Sequence, residues 1–362
     1  MNNKILFYID SMQKGGANRV MANLSTYFAQ KGYQVVLVND IMPSNIAPEY
    51  TIDDRIRRRF LCGNDGFPTK SNWKRIGKLR TILREEEPDA VVSFMGPPNI
   101  RMLLAAFGIK CRKIVSVRND PYREYGSTWI HKVLAGYIFR LADGCVFQTV
   151  EASKYFPMSI RQRSVVIYNP VLGDFYQVRP SIEPHNIVTV GRLEEQKNHE
   201  LLIKAFARIA DSIPLDNLII YGEGQLRPHL NEIIAQYKLT ERVVLAGSQS
   251  DIPNLLCKAK CFVLSSDYEG MPNALMEAMA AGVPVVSTDC PCGGPRTLIQ
   301  NKEQGILVPV GNEILLSEAI FTILDNPTLH DRMSVEVRKR AEDFKPEKVF
   351  AMWEEYLLKN NV

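Results

Sequence analysis

No apolar run in the 362 residues approaches the roughly 18 to 20 needed to cross a bilayer, which excludes a spanning helix. The opening MNNKILFYIDS is too short and too soon acidic for a signal peptide, so the chain is expected to stay in the cytoplasm. Cysteine is sparse and odd in number, seven residues scattered from Cys62 to Cys292, a pattern of reduced thiols rather than a disulfide framework. Cys290-Pro-Cys292 has no second Cys/His pair nearby to complete a zinc site. The five histidines, His131, His185, His199, His229 and His330, are too dispersed for a metal cluster. A P-loop, a G-x-G-x-x-G after a strand, H-E-x-x-H and the G-x-S-x-G elbow are all missing, which counts against an NTPase, a dinucleotide dehydrogenase, a zinc protease and an esterase.

What is present is an ordinary globular composition, 46% hydrophobic and 23% charged, with 22 Gly and 21 Pro. The length favours two domains, each with its own core. The net charge of +4 conceals an asymmetry. Residues 1 to 170 carry 25 Lys+Arg against 14 Asp+Glu, net +11, and residues 171 to 362 carry 19 against 26, net −7. The basic half suits anionic lipid, nucleic acid or a phosphorylated substrate, or it consists of solvated helix faces.

The buried run Ile5 to Ile9, the Gly15-Gly16 loop, a helical pattern from Ala17 to Gln30 and the run Val35 to Val38 read as one βαβ unit. Strands and helices then alternate to Val165–Ile167, with helices at 73–87 and 129–141 and strands at 90–94, 114–117 and 145–147. A lapse with Gly173, Pro180 and Pro184 marks a linker. A second alternation begins at Ile187, with strands at 218–221, 243–245, 262–264 and 283–286. The expected architecture is α/β, two Rossmann-like doubly wound domains. They divide as 1–170, a linker at 171–185, and 186–345, and a C-terminal helix at 346–362 packs back on the first domain. Val349, Trp353, Tyr356 and Leu357 form the apolar stripe of that helix.

Three segments carry chemistry. Gly15 and Gly16 lie between the first strand and first helix, where backbone amides can approach an anion. Gly191 to Asn198 holds the corresponding place in the second half, and Arg192 and Lys197 there can neutralise a diphosphate without a metal. In Ser265 to Ala280, Glu269 falls in a loop and Pro272 at a helix start. Asn273 and Glu277, four apart, share a face. Carboxylates so placed can accept hydrogen bonds from sugar and ribose hydroxyls.

Glu269 and Glu277 with seven residues between them, the Gly191 to Asn198 segment and the Gly15-Gly16 loop together resemble the retaining nucleotide-sugar glycosyltransferases of family 4, over nearly the whole chain. The resemblance implies the GT-B fold, with two domains facing across a cleft that holds the site. It implies that Glu269 contacts the donor sugar, Glu277 the nucleotide ribose, and Arg192 and Lys197 the diphosphate. Gly15 and Gly16 would approach the diphosphate from the other domain. Gly270, Met271, Pro272 and Asn273 complete the donor-binding loop. Arg118 stands at a strand end where the family places a donor-proximal residue, often His, and is the fourth catalytic candidate with Glu269, Arg192 and Lys197. Gly222-Glu223-Gly224 and Gly293-Gly294-Pro295 also look like family loops. Two departures stand out: Asn18 occupies the region after the glycine pair where Glu is common, and Thr297 a position where Glu is frequent.

The function implied is retaining transfer of a sugar from a UDP-sugar to a saccharide carried on polyprenyl diphosphate, in bacterial surface polysaccharide assembly such as that of lipopolysaccharide. Two other readings are a sugar-nucleotide epimerase of the same fold and a non-catalytic glycosyltransferase-like partner subunit. No Asp-x-Asp is present, the nearest approach being Asp267-Tyr268-Glu269, so neither metal nor cofactor is expected. Nor is a nucleic-acid partner. The basic cluster of Arg55, Arg57, Arg58, Arg59, Lys70, Lys74, Arg75, Lys78, Arg80 and Arg84 suggests peripheral attachment to the anionic inner face of the cytoplasmic membrane. Trp73, Ile76, Leu79, Ile82 and Leu83 recur among them at helical spacing, which suits a helix packed on the core or one laid on lipid.

Overall fold

The computed structural model describes residues 3–13, 15–42, 49–61, 71–181 and 184–358. Two compact units divide the chain. The first runs through Asn169 and resumes at Phe350, and the second is Pro170–Val349.

The first unit contains a seven-stranded, wholly parallel sheet. Its strands are β1 (Lys4–Ile9), β2 (Gln34–Asn39), β3 (Arg57–Phe60), β4 (Ala90–Phe94), β5 (Arg112–Ser116), β6 (Gly144–Phe147) and β7 (Ser164–Val166), in the order β3-β2-β1-β4-β5-β6-β7. The order reverses between β1 and β4, which makes the loops beyond their carboxyl ends the natural place for a ligand. Both strands are near-continuous apolar runs, as sheets covered on both faces require. The helix Gly16–Gln30 begins directly after Gly15 and buries Val20, Met21, Leu24 and Phe28 against the sheet. The closing helix, Pro346–Leu358, returns to this unit from Phe350 onward. Trp353, fully buried, lies 5.6 Å from the Phe94 ring, and Phe350 lies 4.9 Å from Tyr27. The Tyr356 hydroxyl donates to the Arg163 carbonyl at 2.5 Å and accepts from the Cys145 amide at 3.0 Å.

Much of the basic cluster turns out to be internal structure. Arg57–Phe60 is an edge strand, and its arginines are held by acids of their own unit. Arg58 pairs with Glu49 at 2.8 Å, Arg59 with Glu85 at 2.6 Å and Glu86 at 2.9 Å, and Arg57 with Glu86 at 3.3 Å. Arg55 pairs with Asp53, Arg75 pairs with Asp40, and Arg80 donates to the carbonyls of Ala105 and Phe107. Lys74, Lys78 and Arg84 are exposed, and Lys70 lies outside the described residues. The helix Asn72–Glu86 buries Leu79, Ile82 and Leu83, so its stripe is core, with Trp73 left 78% exposed at its start.

The second unit has six parallel strands: β8 (His185–Val190), β9 (Leu218–Tyr221), β10 (Val243–Gly247), β11 (Ala259–Leu264), β12 (Val285–Thr288) and β13 (Ile306–Val308), in the order β10-β9-β8-β11-β12-β13. The switch in direction falls between β8 and β11, which are hydrogen-bonded neighbours, so the loops that follow them emerge side by side. Strand β12 sits two residues later than the apolar run Val283–Val286 suggested. Val283 instead follows the tight turn that ends the helix Asn273–Ala280.

Candidate functional site

The loops after β8 and β11 are stitched into one surface. The Ser265 hydroxyl donates to the Lys197 carbonyl at 2.9 Å, the Asp267 amide to the Gln196 carbonyl at 2.9 Å, the Gln196 amide group to the Tyr268 carbonyl at 2.9 Å, and Asn198 Nδ2 to Asp267 Oδ1 at 2.8 Å. Asn198 takes a left-handed conformation and then caps the helix His199–Ile209 through the Leu201 amide. Sequence spacing alone had placed Gly191–Asn198 and Ser265–Ala280 at strand ends. The sheet brings them together.

On this surface Lys197 Nζ donates to Glu269 Oε1 at 2.5 Å, and the Ser266 hydroxyl donates to the same oxygen at 2.7 Å. Both side chains are largely buried. Arg192 stands apart, 66% exposed, with Glu194 Oε1 at 2.9 Å. Glu277, on the helix Asn273–Ala280, is buried, as are Gly270, Met271 and Pro272, and Asn273 is half-buried. A surface position for Glu277 is thereby excluded.

Glycines fix the spacing of the flanking loops. A Cβ on Gly222 would meet the Gly191 carbonyl oxygen at 1.9 Å, and one on Gly294 would meet the Gly270 carbonyl oxygen at 1.8 Å. Only glycine lets the 222–224 and 293–295 turns lie this close to the two site loops. Thr297, one of the two departures, donates its hydroxyl back to the Gly293 carbonyl at 2.7 Å and so steadies the second turn.

His199 was passed over in the sequence. Its Nε2 donates to the Arg192 carbonyl at 3.2 Å, its Nδ1 has no hydrogen-bond partner among the described residues, and burial together with the nearby Lys197 ammonium lowers its pKa to about 4. It is a neutral strut beneath the loop that carries Arg192.

In the first unit, Gly15 precedes the helix N-terminus, and a Cβ built there would meet Asn18 Nδ2 at 3.8 Å and the Gln13 carbonyl oxygen at 3.9 Å, ordinary contacts. Asn18, the other departure, clips the loop by donating to the Gln13 carbonyl at 2.8 Å. Beside this loop is a buried network that the sequence did not disclose. Arg101 donates to Tyr8 at 2.8 Å, to Asp40 at 3.0 Å and to Asp10, whose carboxylate is half exposed at the carboxyl end of β1. Arg118 is not on a surface. It is buried over the Phe94 ring at 4.6 Å, donates to Asn169, and burial lowers its pKa to about 9. Nearby Glu124 has both carboxylate oxygens buried without a hydrogen-bond partner among the described residues, and burial pushes its pKa up to about 8. Arg118 thereby ties the segment after β5 to Asn169.

Among the described residues no group of three or more His, Cys, Asp or Glu could hold a metal ion. Cys290 donates to the Ser266 carbonyl, and burial pushes its thiol up to about 12.

Comparison with known proteins accords with this arrangement. Residues 177–340 match the family described as glycosyl transferases group 1, and residues 14–171 match glycosyltransferase family 4. The protein belongs to the GT-B glycosyltransferases of the family 4 type. It is 28% identical, over 98% of its length and 99% of the relative's, to a Campylobacter jejuni N-acetylgalactosamine-N,N'-diacetylbacillosaminyl-diphospho-undecaprenol 4-alpha-N-acetylgalactosaminyltransferase. An uncharacterized glycosyltransferase of Methanocaldococcus jannaschii is 29% identical over 77% of this chain and 82% of its own. Among solved structures, Anabaena HepE in complex with UDP shares the fold, with a TM-score of 0.81 at 18% identity over 98% of this chain and 99% of that one.

Proposed function

We propose that the protein transfers a sugar, with retention of anomeric configuration, from a UDP-sugar to a saccharide borne on polyprenyl diphosphate in surface polysaccharide biosynthesis. The observation that carries the reading is the joined surface off β8 and β11, where one exposed cation, one half-buried cation and two buried carboxylates lie at the sheet's switch point. Arg192 and Lys197 stabilise the leaving diphosphate, Glu269 the transferred sugar and Glu277 the ribose. In the first unit, Gly15 and Gly16 offer backbone amides to an anion. Two fixed cations supply the charge that a metal would otherwise bring, so the reaction is metal-independent.

The acceptor class is supported by the Campylobacter relative, whose name describes a diphospho-undecaprenol substrate, and the donor by the UDP held in HepE. No helix among the described residues is long and apolar enough to cross a membrane, so the reading places the enzyme at the inner face of the membrane as a peripheral protein. Mass spectrometry of products from a panel of UDP-sugars, each offered with and without lipid-linked saccharide, tests the proposal. Transfer to the acceptor supports it, and conversion of the donor sugar without an acceptor overturns it.

A further inference from the structure

The helix Trp129–Phe139, within the first unit, buries only Ala135, Gly136 and Phe139. Trp129, Ile130, Val133, Leu134 and Tyr137 fall at helical spacing on one face and are 72%, 51%, 59%, 54% and 71% exposed. Five large apolar side chains on one short helix form a patch of the kind that soluble monomers seldom leave uncovered. Beside it runs a groove of about 510 Å³ between this helix and Tyr155-Phe156-Pro157, and Met158, 59% exposed, extends the apolar rim.

The charges around this face are mainly of one sign. From Trp129 to Ala142 there are two cations, Lys132 and Arg140, and no acid. Lys132 Nζ lies over the Tyr122 ring at 4.5 Å, so its stem covers apolar surface while its charge stays at the rim. Lys154 and Arg161 follow, with Glu151, 3.8 Å from Lys154, as the acid among them.

We propose that this face and groove seat the protein on an anionic lipid bilayer. The inference rests on the reading that the acceptor is lipid-linked and supplies the surface from which it is reached. Eleven residues span about 16 Å, half of a hydrocarbon core, so the helix lies in the interface and does not cross. Trp and Tyr at its two ends suit the headgroup level, and the cationic rim suits anionic lipid. The helix Asn72–Glu86 has no comparable face, because its apolar stripe is spent on the core.

Flotation and tryptophan fluorescence with full-length protein test the proposal, using vesicles of phosphatidylcholine alone or mixed with phosphatidylglycerol. Binding is expected to the anionic vesicles at low salt and to weaken at high salt. Lys132→Ala and Arg140→Ala should each lower the partition coefficient about fivefold. The double change Val133→Glu with Leu134→Glu should abolish binding while leaving the thermal melt and turnover of a water-soluble acceptor analogue as in the unaltered protein. The three tryptophans separate the two helices, since Trp353 is buried. The vesicle-induced blue shift should vanish in Trp129→Phe and persist in Trp73→Phe.

The opposite tryptophan result, equal binding to neutral vesicles, or undiminished binding of the double variant overturns the proposal. So does a solution dimer that the double variant renders monomeric without vesicle binding, which would make a second copy the occupant. Vesicle binding through this face by a protein that transfers no sugar would instead defeat the functional reading alone.

Discussion

Lys197 Nζ and Glu269 Oε1 are 2.5 Å apart, so the residue assigned to the diphosphate and the residue assigned to the sugar form one ion pair. The pair holds the lysine in a single orientation. It also makes the two roles interdependent.

Replacing Arg192 or Lys197 by Ala should cost roughly 2 to 4 kcal/mol of transition-state stabilisation, read as kcat/KM for the donor. The two variants should differ in the melt. Arg192→Ala removes a largely exposed side chain and leaves stability unchanged, whereas Lys197→Ala strands a buried carboxylate at a cost of about 1 to 3 kcal/mol. Donor kinetics within threefold of the unaltered enzyme in both would remove the assignment.

Glu277→Gln should weaken UDP binding. Glu269→Gln should depress turnover and, through the lost ion pair, shift UDP affinity as well, a coupling that independent sugar and diphosphate contacts would not give. Calorimetry with UDP separates these outcomes. Unaltered affinity in the Glu277 variant would eliminate the ribose role.

Acid should unsettle the Arg192 loop. His199 has a folded-state pKa of about 4, below its ordinary 6.5, so its neutral form contributes stability that is complete above pH 6.5 and is lost as the pH falls toward 4. Thermal melts from pH 7.5 to 4.5 should therefore fall more steeply in the unaltered protein than in His199→Gln, which keeps a hydrogen-bond donor and does not titrate. Parallel curves would contradict a buried, neutral His199.

Chelation should leave activity intact, because the proposed site sets Arg192 and Lys197 against the diphosphate in a metal's place. The measurement is turnover in EDTA with and without added Mg²⁺ or Mn²⁺. Complete loss, restored by either ion, would require a different site.

Central strands were legible because they are continuous apolar runs. Two edge strands were not: Arg57–Phe60 has no apolar pattern, and its arginines read as a cationic surface until their acids came into contact, while Ile306–Val308 is apolar but only three residues long. The site loops could be located from glycine, charge and strand ends. The contact between Lys197 and Glu269 could not, because 72 residues separate them and only the pairing of β8 with β11 closes the distance. The helix at Trp129 was legible as a helix, but a segment apolar on nearly every side does not announce which face the rest of the chain will cover.

The return of the last helix sets an order of assembly. The first unit lacks Phe350 and Trp353 until the chain has been made past them, and the slots they fill against Tyr27 and Phe94 stay open while Pro170–Val349, an uninterrupted stretch, emerges and can fold. The half of the enzyme made first is thus finished last. Trp353→Ala should reach it alone, lowering the stability of the first unit by about 3 to 5 kcal/mol in denaturant and leaving the unfolding of the second unit unchanged. A nascent chain stalled short of residue 350 would carry a formed second unit tethered to a first unit whose core still lacks two of its aromatic rings.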